Sequence, residues 1–447
     1  MSTVRPSAVT ALPAVLVTGA DQHQGLAVIR GLGLAGIPVV ACGAEPRSLG
    51  FYSRFAVAKA CYTSPFSSPR GFVADILGVV RQTRATLIIP TVESTLVVLN
   101  EWREVVERHA RLAAPPPEVL EYAINKGKTL LLAQGLGVPV PRSAEGDSAE
   151  EILRRAADLK FPVAIKPRGH GLHLTTANTL GFKVRYARTL DELRLLLQPF
   201  ERDAGAVLVQ EYAAGVGRCV AALCRRGEPL VLFAYSRERE FPLSGGVSVV
   251  RKSIPLDERL AAYSTALLRA IGWHGVAMVE FKYDSAADRY TLMEINGRFQ
   301  ASTALSLDAG INLPRLVAAL YGIGELGPTP TYRVGTEERW LRGDLLALRD
   351  GLAGGSQRRL TAPPTGTPPS RARVLGRFLR DFHPRMRYDE FKWYDWRPGA
   401  VESLGLLTLC CGLLTLPLRR LAGYARRAAA ALHHTLTSSA TQRSIRA

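Results

Sequence analysis

Near the N-terminus the chain alternates short unbroken apolar runs with segments of helical spacing. Ala14-Val-Leu-Val-Thr-Gly19, Gly36-Ile-Pro-Val-Val-Ala-Cys42 and Ala85-Thr-Leu-Ile-Ile-Pro90 read as buried strands. Gly25 to Leu34 and about Gly71 to Arg81 read as the helices between them. Strands that alternate with helices predict a parallel sheet. Residues 1–13 look like a loose leader, and Pro115-Pro116-Pro117 marks a boundary. Beyond it come helices at Asn125–Gly135, Ser148–Leu159 and Leu190–Gln198, the last stopped by Pro199. Strands are expected at Phe161–Lys166, Ala206–Gln210, Cys219–Cys224 and Pro229–Tyr235, the last two in an antiparallel sheet. A helix over about Asp257–Ile271 and another over 301–321 bracket a hairpin.

That hairpin carries the densest chemistry. Glu280 lies in Gly275-Val-Ala-Met-Val-Glu-Phe-Lys-Tyr-Asp284 and Glu294 in Tyr290-Thr-Leu-Met-Glu-Ile-Asn-Gly-Arg-Phe299, with a turn at Asp284–Asp288 between them. Folded symmetrically about Ala287, the two carboxylates face each other. Cross-strand neighbours sit roughly 5 Å apart, where like charges repel. A cation between them removes that cost. Period-two geometry adds Asn296 and Arg298 to the face of Glu294. Hard oxygen donors suit magnesium, which bridges carboxylates to nucleotide phosphates. A guanidinium suits a phosphate oxygen.

Composition narrows the class. With 447 residues, 47% hydrophobic and 21% charged, the chain is long enough for several globular domains. Its net charge is +18. The excess is carried by 48 arginines against nine lysines, scattered without aromatic interleaving, which argues against nucleic acid. Six cysteines form no CxxC pair, and no secretory signal or run of 18 apolar residues occurs, so the chain reads as cytoplasmic and reduced.

Lys166 ends an apolar strand and opens Pro167-Arg-Gly-His-Gly171, a glycine turn of the kind that lets backbone N–H groups approach phosphate. Lys126 heads Asn125-Lys-Gly-Lys-Thr-Leu-Leu-Leu-Ala-Gln-Gly-Leu-Gly-Val-Pro-Val-Pro141. Taken singly, each is a solvated lysine as readily as a ligand. Gln210-Glu211-Tyr212-Ala213 is either a strand end or a hinge facing a base edge. In this order, over about residues 14–325, these elements resemble the ATP-grasp superfamily, specifically its carboxylate–amine ligase-like members. The resemblance implies that Lys126, Lys166, Gly169, Gly171 and Gln210 to Ala213 bind ATP. It implies that Glu280, Glu294 and Asn296 hold magnesium, or manganese in its place, and that Arg298 contacts phosphate or the acyl-phosphate. Glu294-Ile-Asn-Gly-Arg298 is the most specific stretch.

The departures are also specific. Asn125 stands where the family has aspartate, and the glycine loop is short and holds His170. No ribose-binding acid lies near Gly217-Arg218. Pro242 to Arg251 looks like the family's flexible substrate-side loop, with Arg251 either holding the substrate carboxylate or solvated. Val17-Thr-Gly-Ala-Asp-Gln-His-Gln-Gly25 lacks the GxGxxG spacing of dinucleotide binders. His170 and His173 lack a third soft ligand for zinc.

The fold expected is therefore α/β (α+β), an ATP-grasp fold with a Rossmann-like parallel α/β domain at 1–115. Two α+β subdomains sandwich ATP, a small lid at 116–205 and a catalytic subdomain with the metal hairpin at 206–330. A C-terminal helical extension follows, with a Pro-rich linker within 331–400 and an amphipathic basic tail at 401–447. The function implied is ligation of a small-molecule carboxylate to an amine through an acyl-phosphate, with release of ADP and phosphate. Other ATP-grasp chemistry (carboxylation or phosphoryl transfer) and a non-catalytic nucleotide-binding, membrane-associated protein are the alternatives.

In the tail, Leu404 to Leu416 is apolar but too short to span a bilayer, and Arg419, Arg420, Arg426 and Arg427 follow. Residues 401–432 thus have the composition of an interfacial helix on the inner membrane face, or of a helix docked on protein. The aromatic run Tyr388–Trp396 is either a packing strap or an interfacial belt.

Overall fold

A computed structural model describes residues 12–168, 184–200, 205, 207–242, 245–353 and 369–407. The chain divides into two units, Met1–Val401 and Glu402–Ala447. Residues 402–407 of the second are helical.

Among the described residues the first unit holds three sheets. The first contains β1 (Val15–Val17), β2 (Val39–Gly43), β3 (Ala56–Cys61), β4 (Leu87–Ile89) and β5 (Arg111–Leu112), all parallel in the order β3-β2-β1-β4-β5. The apolar runs β1, β2 and β4 are buried along their whole length, as central parallel strands require. Gly25 opens the helix His23–Leu34 against this sheet, and a Cβ there would lie 2.1 Å from the Gly19 carbonyl oxygen. No other residue fits that approach. β3 escaped the sequence reading because its residues alternate between half-buried and exposed at the sheet edge.

The second sheet is small and antiparallel. It contains β6 (Ser143–Ala144), β7 (Val163–Pro167), β8 (Arg185–Ala187) and β9 (Val207–Glu211) in the order β6-β9-β7-β8. Helices Ala149–Ala156 and Leu190–Leu197 accompany it, capped by the Ser148 and Thr189 side chains. Its core joins Ile152, Leu193, Phe200 and the inward residues of β7 and β9.

The third sheet contains β10 (Val216–Arg225), β11 (Glu228–Phe241), β12 (Val247–Ser253), β13 (Gly275–Asp284), β14 (Arg289–Asn296), β15 (Glu337–Arg339) and β16 (Arg387–Tyr388). Its order is β14-β13-β10-β11-β12-β15-β16, antiparallel until the last, parallel pair. The 301–321 stretch is two helices, Thr303–Ala309 and Leu313–Leu320, separated where Gly310 takes φ +109°.

Two expectations are corrected here. Val247–Ser253 is a paired strand, not a flexible loop. The C-terminal extension is not helical alone: the segment after residue 330 supplies two strands, β15 and β16, to the third sheet. β15 and β16 are too short and too charged to register as buried strands. In β15 the charges of Glu338 and Arg339 are buried, and each is paired. Arg339 meets Asp344 at 2.6 Å and lies over the Phe378 and Phe382 rings at 4.2 and 4.3 Å. Such desolvated cation–π contacts contribute about 2 kcal/mol. Arg30, from the first helix, pairs with Asp395 at 2.8 Å and donates to the Asp389 carbonyl at 2.6 Å. The stretch around 389–395 therefore straps the N-terminal domain to the large sheet.

Candidate active site

The metal hairpin is β13–β14. Near its turn Asp284 pairs with Arg289, Lys282 with Thr291 and Phe281 with Leu292. Continued unbroken, that register would set Glu280 opposite Met293. A bulge after Phe281 shifts it, so Glu280 pairs with Glu294, Val279 with Ile295 and Met278 with Asn296. One extra residue thus turns Glu294 onto the face of Glu280. Bulges that re-aim a side chain beside a functional site are a recurrent device.

Glu280 is buried and Glu294 partly open. Burial pushes the Glu280 carboxyl above its ordinary range, Glu294 and Glu240 push the same way, and Arg237 and Lys282 pull back. Asn296 Nδ2 donates to Glu294 Oε1 at 2.9 Å, and an Arg298 guanidinium nitrogen donates to Asn296 Oδ1 at 3.2 Å. The hairpin therefore brings Glu280, Glu294, Asn296 and Arg298 together. Among the described residues no group of three or more His, Cys, Asp or Glu could hold a metal by itself. Two opposed carboxylates with a neighbouring carboxamide instead fit a hard divalent cation that completes its shell with phosphate oxygens and water. The mutual repulsion written into the Glu280 pKa is what such a cation would relieve.

Both lysines arrive at this face. The helix Lys126–Gly135 starts at Asn125, whose side chain accepts from Lys128 N at 3.2 Å. Asparagine caps a helix as well as aspartate does, which explains its place here. Lys126 N donates to the Arg168 carbonyl at 3.1 Å, tying the helix start to the end of β7. Lys126 Nζ then lies 3.6 Å from Glu294 Oε2. Lys166, near the end of β7, has its pKa pushed down to about 8. Desolvation is the main cause, Glu294 opposes it, Lys126 adds to it, and Glu280 and Lys282 act more weakly in opposite senses. Gly169, Gly171, His170 and His173 lie outside the described residues.

The candidate hinge, Gln210 to Ala213, is the end of β9 and the two residues after it. Gln210 is buried and donates to Ser143 Oγ at 3.1 Å. Glu211 Oε1 accepts from Lys160 N at 2.8 Å, and the Tyr212 ring meets Tyr186 edge-on at 5.7 Å. Glu211, Tyr212 and Ala213 line a cavity of about 270 Å³ together with Pro141, Arg142 and Thr291. Thr291 pairs with Lys282 and so sits on the same sheet face as Glu280.

Arg251 is not available for substrate. It is fully buried in β12, with Nε 3.1 Å from Glu338 Oε2, a nitrogen 2.9 Å from the Ser248 carbonyl, and a further ion pair to Asp389. Burial alone would lower its pKa, but Asp389 and Glu338 raise it. The expectation that it holds a carboxylate is overturned by this enclosure. The register shows why the sequence misled. Lys282, Gly217, Arg237, Arg251 and Glu338 form one row across β13, β10, β11, β12 and β15. Arg237, one strand nearer the hairpin, is the arginine that enters the site.

Arg237 was missed in the sequence. It forms an ion pair with Glu280, donates to the Gly246 carbonyl, and lies 3.2 Å from Glu240 Oε1. Its side chain crosses β10 at Gly217, where a Cβ would come 2.8 Å from Arg237 Cδ. Glu240 in turn lies 3.6 Å from Lys282 Nζ. Burial would raise its pKa, yet Arg237 and Lys282 hold it below the ordinary range. Gln300 and Ser302 were missed too. Both are buried just past Arg298; the Ser302 hydroxyl faces the buried Tyr235 hydroxyl, and among the described residues the Gln300 amide atoms have no hydrogen-bond partner. A spacing of two from Arg298 was the only signal for Gln300.

A family model described as "ATP-grasp in the biosynthetic pathway with Ter operon" matches residues 203–337. The chain is 25% identical over 331 residues to the carbamoyl phosphate synthase large chain of Thermomicrobium roseum, covering 69% of this chain and 29% of that one. It is 24% identical over 212 residues to D-alanine–D-alanine ligase of Caulobacter sp. (strain K31), covering 44% of this chain and 63% of that one. The chain thus spans less than two thirds of the length of these relatives. In structure it is similar to a biotin carboxylase complex from Campylobacter jejuni, with TM-score 0.57 and 18% identity over 73% of this chain and 74% of that one.

Proposed function

We propose that this chain, which belongs to the ATP-grasp superfamily, is an ATP-dependent ligase that joins a small-molecule carboxylate to an amine. The observation that carries the reading is the bulge that sets Glu294 against Glu280 with Lys126 and Asn296 on the same carboxylate. In this reading Glu280, Glu294 and Asn296 would hold magnesium, with manganese as a substitute. When bound, the ion would supply positive charge against the nucleotide phosphates.

The chain's own residues do the rest. Lys126 and Lys166, with Gly169 and Gly171, bind the phosphates, and Gln210 to Ala213 take the adenine edge. Arg298 and Arg237 face the charge that develops on the transferring group. A substrate carboxylate oxygen attacks the γ-phosphorus, and ADP leaves. The amine attacks the acyl carbon of the acyl-phosphate, loses a proton and displaces phosphate. Positioning and charge neutralisation suffice, and no side-chain nucleophile is needed. The small sheet acts as a lid over the catalytic sheet. We place the protein in the cytoplasm, with the basic tail 401–432 as a peripheral membrane contact on the inner face. No helix among the described residues is long and apolar enough to cross a membrane.

A screen of carboxylate and amine pairs for ATP-dependent ADP release, with products identified by mass, tests the reading. Release that requires both partners and yields their condensation product supports it. Release with bicarbonate alone, or phosphorylation of a non-carboxylate, replaces it with the carboxylation or phosphoryl-transfer alternative.

A further inference from the structure

We infer that the exposed aromatic and arginine surface of residues 371–397 docks this protein on an anionic lipid surface. The inference is independent of the ligase reading. Trp393 is 90% exposed, Trp396 64% and Phe391 39%. Trp273 of the same chain is fully buried, so this fold encloses tryptophan where its core has use for it. The preceding helix, Arg371–Arg380, exposes Leu375 and Leu379 one turn apart, and Phe382 follows in the open. Exposed apolar groups gathered in one stretch of chain mark an interaction surface.

Charge names the partner. Every acid in the stretch is turned inward: Asp381 pairs with Arg239, Asp389 with Arg251 and Asp395 with Arg30, while Glu390 is buried. Lys392 is buried against Asp308. The cations turned outward are arginines, with Arg371, Arg373, Arg377, Arg380, Arg385 and Arg397 all exposed. Within this stretch the outward-facing charges are therefore all positive, and they sit beside exposed tryptophans. Tryptophan favours the headgroup level of a bilayer, and each basic side chain near an anionic leaflet adds about 1 kcal/mol. In sequence the same chain runs on into the apolar stretch Leu404–Leu416 and then Arg419, Arg420, Arg426 and Arg427. The folded patch supplies a membrane signal of its own, to which the tail adds.

Full-length protein is sedimented with vesicles of phosphatidylcholine alone and of phosphatidylcholine containing about one third phosphatidylglycerol. Three proteins are compared: the unaltered chain, W393A–W396A, and a variant with Arg419, Arg420, Arg426 and Arg427 changed to Glu. The unaltered chain binds the anionic vesicles only, and brominated lipid quenches its tryptophan fluorescence. W393A–W396A loses binding by roughly tenfold without change in melting temperature. The tail variant binds more weakly but keeps the quenching. The inference is overturned by any of four results. These are no vesicle binding by the unaltered chain, equal binding to neutral vesicles, unchanged binding by W393A–W396A, or complete loss in the tail variant. Conversion of a dimer to a monomer by W393A–W396A, without vesicle binding, would assign the patch to a second copy of the chain instead.

Discussion

Lys126 Nζ lies 3.6 Å from Glu294 Oε2, because the helix that Lys126 heads packs against β14, the edge strand of the large sheet that carries Glu294. Lys126, Lys166, Arg237, Arg298 and Lys282 surround three carboxylates, Glu280, Glu294 and Glu240. A site with that surplus of cations is suited to an anion, and the paired glutamates admit it as a metal complex.

Glu294→Gln keeps the shape of the side chain and removes its charge. Its carboxylate is partly exposed, so the fold should survive. Substrate-dependent ADP release is expected to fall by about 10²-fold or more, the scale lost when a preorganised charged group is removed from a reacting centre. A coupled ADP assay beside a thermal melt reads both. Turnover within a few-fold of the parent would remove the hairpin from the chemistry.

Arg237 offers a sharper test through Gly217. In Gly217→Ala a Cβ must displace the Arg237 side chain where it crosses β10. Activity should fall well beyond the change in melting temperature. Arg237→Ala, by contrast, leaves Glu280 buried and unpaired, at a cost of about 3–5 kcal/mol. Wild-type turnover in Gly217→Ala would mean that the crossing arginine has no catalytic part.

Lys166 gives a pH signature. Its pKa is pushed down to about 8, against 10.5 ordinarily, so the folded protein releases this proton before the unfolded chain does. Two consequences follow with opposite signs. Between these values the unfolded state binds more protons, so this group's contribution to stability improves as pH rises. Over the same range the lysine loses the charge that attracts phosphate, so nucleotide binds more weakly above about pH 8. Lys166→Arg should abolish the weakening. A titration of ADP binding from neutral to alkaline pH decides, and an identical alkaline decline in the arginine variant would acquit Lys166.

Arg251 should behave as structure rather than as chemistry. Arg251→Ala leaves the buried Asp389 without its guanidinium and Glu338 with Lys392 alone, 3.5 Å away, with an expected loss of about 3–5 kcal/mol. Denaturant unfolding measures this. A stable protein with a raised KM for carboxylate would restore the substrate role.

Much of this was legible in the sequence, and for identifiable reasons. Strands such as Val39–Gly43 and Val163–Pro167 announced themselves through continuous apolar runs. Glu280 and Glu294 could be paired because the hairpin turn is short. The symmetry axis at Ala287 gave the right partner, but through a bulge that no pattern revealed, since near the turn the axis falls half a residue earlier. Arg237 stayed hidden because its role depends on a glycine in a neighbouring strand. Arg251 was misassigned because its partners Glu338 and Asp389 come from short, charged segments far along the chain. Long-range pairing of buried charge leaves no periodic trace.

The account turns on a cation held between Glu280 and Glu294 that carries the nucleotide. Calorimetric titration of ADP into the protein, with and without magnesium, and again in Glu280→Gln–Glu294→Gln, measures this directly. Tight binding that requires magnesium in the parent, and loses that requirement in the double variant, is the predicted result. Equal affinity with and without the metal in the parent would contradict it.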